Sequence, residues 1–119
     1  MRTVLVIAGV FVLFYIIYKT YSISSLDKGL GKKISEGAVI LDVRTNMEFE
    51  TGHIPNCTNI ALSKLRTEEI PFDKKQVIIT YCSHGLRSIK AVSILKARGF
   101  KHVYNGGAWS DLQETIRKN

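Results

Sequence analysis

Cysteine is scarce in this sequence. Two residues in 119, Cys57 and Cys82, exclude both a disulfide-dense scaffold and a four-cysteine zinc site. Proline is as rare, at Pro55 and Pro71, and there is no repeat or low-complexity tract. A collagen-like or disordered chain is therefore excluded. Acidic residues are outnumbered, with ten Asp plus Glu against seventeen Lys plus Arg, which leaves a net charge of +7. A basic excess is one mark of nucleic-acid binding. Here the cations are scattered, never more than two in a row, and no aromatics interleave with them, so no nucleic-acid partner is expected. The length suits one modest core and is too short for two ordinary domains. What is plentiful is apolar surface: 45% of residues, and a mean hydropathy of +0.05 despite 23% charged residues.

The apolar excess sits at the front. Residues 4–18, VLVIAGVFVLFYIIY, contain no charge and no proline. As a helix this run spans about 22 Å, short of the roughly 30 Å hydrocarbon core. Thr3 and Thr20 extend it, Lys19 can snorkel, and Tyr15, Tyr18 and Tyr21 suit the interfacial aromatic belt. A transmembrane anchor over residues 1–20 is the expected reading, followed by one domain over 21–119. A cleaved signal peptide is the alternative, with Arg2 and an apolar stretch but only a weak small-residue cleavage pattern at Ser22 and Ser24. A buried core helix is the third reading, though core helices keep a polar face and this run has none. Lys19, Lys28, Lys32 and Lys33 follow the run, so the positive-inside rule puts the domain in the cytoplasm, on the inner (plasma) membrane. Leaving out Arg2 and Lys19, the rest carries fifteen basic and ten acidic groups, a balance suited to lying beside anionic lipid.

Behind the anchor the pattern is of short apolar strands alternating with helices. Tyr21-Ser22-Ile23 reads as a first strand, with Ser24 or Ser25 as N-cap of a weak helix running to about Glu36. Ala38-Val39-Ile40-Leu41 reads as a buried strand and Asn59-Ile60-Ala61 as a short one. Gln76-Val77-Ile78-Ile79-Thr80-Tyr81 is the strongest strand signal. Residues 89–98 carry a helical apolar pattern closed by Gly99. His102-Val103-Tyr104 is another strand, and Ser110 caps a last helix over residues 111–117, acids first and bases last. Such alternation indicates an α/β domain with a largely parallel sheet.

Between the strongest strand and the clearest helix lies CSHGLRS, residues 82–88. Open α/β sheets bind ligands at the carboxyl ends of strands. A tight loop entering a helix aims backbone N–H groups at one point, where the helix end adds positive potential. That environment favours the thiolate of a cysteine at its base, here Cys82. Gly85 permits the turn, Arg87 adds a fork of donors, and His84 can lend charge. A lone cysteine is most often a small buried hydrophobe; strand, loop, glycine, arginine and helix together point to a nucleophile.

Three segments in order resemble the rhodanese, or sulfurtransferase, family. LDVRTNMEFETGHIPNCTNI at 41–60 is similar to its front signature, YCSHGLRS at 81–88 to its active-site loop, and GFKHVYNGGAW at 99–109 to its closing segment. The likeness covers roughly residues 21–115. It implies a sheet of about five mostly parallel strands with helices on both faces, and sulfur transfer through a Cys82 persulfide. A donor such as thiosulfate supplies the sulfur, and a thiol, cyanide or protein acceptor receives it. Amides of Ser83, His84, Gly85, Leu86, Arg87 and Ser88 would hold the anion, with Arg87 shaping the pocket. No metal and no cofactor are implied. Cysteine phosphatases and arsenate reductases have one residue more between Cys and Arg, a cradle sized for a tetrahedral oxyanion. The loop here is C-x4-R, better fitted to a terminal sulfur.

The remaining residues have plainer readings. Asp42, Arg44, Glu48 and His53 are expected to brace loops. Cys57, where the family commonly has alanine, is expected as a small buried hydrophobe, with a resolving thiol as the sharper alternative. Trp109 follows the paired glycines closely, which implies a different packing of the last helix. His84 stands where such loops often carry Arg or Lys, which implies modest thiosulfate affinity. Beside the enzyme stands a non-catalytic interaction module of the same fold, docking a partner at the membrane. Retention of Cys82, Gly85 and Arg87 favours the enzyme.

Overall fold

The computed structural model describes residues 1–24 and 27–118. Helix α1 (Arg2–Ser24) takes up the whole apolar front. Its window from Arg2 to Tyr21 has mean hydropathy 2.1 and no residue buried, so the core-helix reading falls. An anchor and a signal segment both fit. The expected first strand at Tyr21-Ser22-Ile23 is instead the end of this helix. Once a helix is nucleated each added residue gains a backbone bond, whereas three residues of strand gain nothing without a neighbouring edge. Ser24 is likewise helical rather than a cap, and Ser25 lies outside the described residues.

The domain then alternates. Helix α2 (Leu30–Ser35) is only six residues long and starts after Gly29. Strand β1 (Val39–Asp42) leads to helix α3 (Asn46–Thr51), then strand β2 (Thr58–Asn59) and a single 3₁₀ turn at Leu62–Lys64. Strand β3 (Val77–Cys82) feeds helix α4 (Leu86–Ala97), and strand β4 (His102–Ala108) feeds helix α5 (Trp109–Arg117). The sheet order is β2-β1-β3-β4 with every pairing parallel, so the described sheet has four strands where five were expected. The difference is the helical Tyr21-Ser22-Ile23.

Both faces of the sheet are covered. Along β3 side chains alternate: Ile78 and Cys82 join Leu41, Leu65, Ala91 and Leu95 in the layer under α4. Ile79 and Tyr81 join Leu30, Ile54 and Leu112 in the layer under α2 and α5. A parallel strand covered on both faces must read as a continuous apolar run, as β3 does. Strand β4 extends four residues past Tyr104 because glycine lets it lie close to β3. A Cβ on Gly106 would sit 2.7 Å from the Thr80 carbonyl oxygen and 2.9 Å from Ile79.

Two helix starts differ from expectation. Helix α5 begins at Trp109, so Ser110 is its second residue and not its cap. Helix α4 begins at Leu86, three residues before the apolar pattern shows it, so the last three residues of the 82–88 segment lie in its first turn.

Candidate active site

Cys82 is the last residue of β3, and two residues of turn separate it from Gly85, the N-cap of α4. Gly85 has φ +91°, a conformation that L side chains avoid. The turn brings the Gly85 N–H to 3.0 Å from Cys82 Sγ, to which it donates. Helix geometry leaves the amides of Leu86, Arg87 and Ser88 without intrahelical acceptors, at the positive end of the α4 dipole. Donors therefore gather around one buried sulfur.

The rim is held by Glu48. Arg87 donates to its two carboxylate oxygens at 2.7 and 2.9 Å, and the Ser83 hydroxyl donates to Oε2 at 2.9 Å. Glu48 occupies the third position of α3, where it also receives the Thr45 amide at 3.3 Å in a capping box. The Arg87 guanidinium first, then Ser83 and Thr45, hold the Glu48 carboxyl well below the usual carboxylate range, against a desolvation that opposes them. The same pairing raises Arg87. One carboxylate thus ties α3 to both sides of the Cys82 turn.

The base of the turn is fixed from β4 and β3. Ser88 is fully buried, and its hydroxyl lies 2.7 Å from Asn105 Oδ1 and 3.0 Å from the Gly85 carbonyl. Asn105 Oδ1 also accepts the Gly107 amide at 2.9 Å, and the Thr80 hydroxyl donates to the Ser88 carbonyl at 3.0 Å. The side chain of Ser88 is thus structural, and what it offers a ligand is its amide. His84 and Leu86 are exposed at the mouth, and the His84 carbonyl accepts a hydrogen bond from Tyr18 of α1 at 2.9 Å.

A rhodanese-like domain family matches residues 25–112. The chain belongs to the rhodanese-like domain family. It is 36% identical over 67 residues to a thiosulfate sulfurtransferase, GlpE, of Coxiella burnetii, which covers 56% of this chain and 63% of that protein. It is 34% identical over 90 residues to a tRNA sulfurtransferase of Thermoplasma acidophilum, covering 76% of this chain but 18% of that one. The chain therefore spans less than two thirds of either relative. A rhodanese-like domain protein of Staphylococcus aureus has a solved structure with TM-score 0.60 and 32% identity, covering 70% of this chain and 83% of that one.

Within this rhodanese-like domain the other charged residues stand apart from the turn. Asp42 and Arg44 are buried together, the guanidinium gripping the carboxylate at 2.6 to 3.0 Å. Tyr81 donates to Asp42 Oδ2 at 2.8 Å and accepts the Ile54 amide at 3.1 Å, while Arg44 reaches the Gly52 carbonyl at 2.7 Å. Together they pin the loop carrying Gly52 and Ile54 to the sheet. His53 stacks on Phe49 with ring centres 3.7 Å apart and its Nδ1 lies 2.8 Å from the Phe49 carbonyl, a brace and not a base. Cys57 packs in the layer under α2 and α5, the face of the sheet opposite Cys82. Burial pushes its thiol up. Both features oppose a resolving role.

Sequence reasoning missed three parts of this site. Glu48 was expected to brace loops, but not as the partner of Arg87 and Ser83; the Thr45-x-x-Glu48 capping box marks α3 in the sequence. Asn105 is signalled only by its place before the paired glycines. Nothing in the sequence indicates that Tyr18 reaches His84.

Proposed function

We propose that this chain is a membrane-anchored sulfurtransferase that carries a sulfane sulfur on Cys82. The observation that carries the reading is the Cys82 sulfur at the end of β3, accepting the Gly85 amide at the N-terminus of α4. That geometry supports a sulfur anion and does not depend on any one substrate. The names of the two relatives agree with it.

In the first step the Cys82 thiolate attacks the outer sulfur of thiosulfate. A Cys82 S–S bond forms, the bond to the inner sulfur breaks, and sulfite leaves with the electron pair. The persulfide anion that remains lies where the Gly85 amide and the first-turn amides of Leu86, Arg87 and Ser88 can receive it. In the second step a thiolate or cyanide takes the outer sulfur, giving a persulfide or thiocyanate and restoring the Cys82 thiolate. Two half-reactions on one nucleophile predict ping-pong kinetics. Arg87 and Ser83, committed to Glu48, act by positioning the turn. Helix α1, apolar and unburied, supplies the anchor, with the domain on the cytoplasmic side.

Intact mass after incubation with thiosulfate tests the chemistry. A gain of one sulfur is expected in the wild type and in Cys57→Ser, and none in Cys82→Ser. Absence of the adduct with both thiosulfate and an organic polysulfide would leave the non-catalytic docking module as the better reading.

A further inference from the structure

The His84–Gly85 peptide is held at both ends. Its N–H donates to Cys82 Sγ at 3.0 Å, and its carbonyl oxygen accepts from the Tyr18 hydroxyl at 2.9 Å. In a planar trans peptide these two groups point in opposite directions, so both bonds fix the same orientation. Gly85, at φ +91°, has no side chain to resist rotation of that plane. A flipped plane would turn the His84 oxygen toward the Cys82 sulfur and replace a donor with a repelling acceptor. The Tyr18 bond opposes that flip, and by polarising the carbonyl it strengthens donation from the N–H at the other end. Tyr18 lies 66 residues before His84 in the chain. Among the described side chains of α1 it alone is partly covered, whereas Tyr15, three residues earlier, is 60% exposed.

We propose that Tyr18 is a positioning residue of the sulfur-transfer site: its hydroxyl locks the His84–Gly85 peptide so that the Gly85 amide faces Cys82, which makes the anchor helix part of the catalytic unit. The inference rests on the sulfurtransferase reading of that site. Tyr18 also ends the apolar run of residues 4–18, so a spanning α1 sets the Cys82 turn at the level where the hydrocarbon ends.

Full-length protein reconstituted in phospholipid vesicles, with thiosulfate as donor and cyanide as acceptor, tests it. Loss of the lock lowers the fraction of turns that are competent, and apparent affinity falls by that fraction. Tyr18→Phe is therefore expected to raise KM for thiosulfate roughly 2- to 10-fold, the worth of one hydrogen bond, while saturating donor restores kcat to within about twofold. Hydrogen exchange of the 83–88 amides should quicken in parallel. Tyr15→Phe, on the same helix without the contact, should change neither. A merely structural role would lower kcat through the active fraction and leave KM alone, and that result overturns the proposal. So does unchanged exchange in Tyr18→Phe. If the wild type transfers no sulfur, the sulfurtransferase reading fails by itself, and the exchange comparison still decides whether Tyr18 locks the peptide.

Discussion

Glu48 and Asp42 are both carboxylates gripped by an arginine, yet they do different work because water reaches one and not the other. Asp42 and Arg44 are 0% and 3% exposed, so with water excluded Asp42 is held by Arg44 and Tyr81, and Arg44 by Asp42 and the Gly52 carbonyl. Removing one partner would leave a bare buried charge. Glu48 and Arg87 are 34% and 35% exposed, so solvent screens the pair and its value lies in placing Ser83 and the start of α4. The Glu48 carboxyl is lowered on folding, by Arg87 first. A lowered carboxyl stabilises the fold fully above its unfolded value, about 4.3, and loses that contribution as pH falls toward the folded value. The difference in thermal midpoint between wild type and Glu48→Gln should therefore be constant from pH 7 to about 5 and shrink steadily below about 4.3. Added salt should reduce it at neutral pH. A difference that stays the same between pH 6 and pH 3 would show that the pair carries no charge-linked stability.

At the scale of elements, β3 and the turn after it were legible because each rule points the same way there. An unbroken β-branched run is the strongest strand signal in the chain, and Cys82, Gly85 and Arg87 in that order fit a turn from it into the next helix. The elements that were hidden lack such agreement. Helix α3 has no buried residue to create an apolar period, and only its capping box marks it. The start of α4 is masked by Leu86, exposed at 45%, and polar Arg87 and Ser88, which break the pattern at the point where the site needs donors. Tyr21-Ser22-Ile23 has strand chemistry but continues α1, since a helix already formed outweighs three local preferences. The paired glycines were visible as a signature, but their reason was not. Gly106 lies against the Thr80 carbonyl at a distance no Cβ can share, where β3 and β4 slip register between Thr80 and Cys82. Gly106→Ala must push these strands apart beside Cys82. Overpacking of this kind costs on the order of 1–3 kcal/mol. Urea unfolding should show that loss, and Cys82 persulfidation should slow with it; an unfolding midpoint equal to wild type would mean that β4 has room to move.

The whole molecule is an exposed apolar helix joined to a small α/β domain, and its surface divides accordingly. Apart from Met1 and α1, the exposed large apolar side chains among the described residues are Met47 and Leu86. Met47 precedes Glu48 on α3 and Leu86 precedes Arg87 on α4, so each is the chain neighbour of one member of the ion pair at the rim of the site. The Tyr18 hydroxyl meets the same turn from α1. The end of α1 therefore meets the mouth of the site, which is the side a membrane-spanning α1 would bring to the lipid surface. With α1 in a membrane, the net charge of +7 would act in the same direction, through attraction to anionic headgroups. If α1 is retained as an anchor, the protein should stay with the membrane fraction through alkaline carbonate and its intact mass should include residues 1–24. Protease added to sealed cells should leave the domain untouched, as the positive-inside rule requires. Recovery of a soluble chain shortened near Ser22 or Ser24 would instead identify a processed leader. It would also remove Tyr18 from the mature protein, so the carbonate fraction and the Tyr18→Phe kinetics must agree for the anchor to be part of the site.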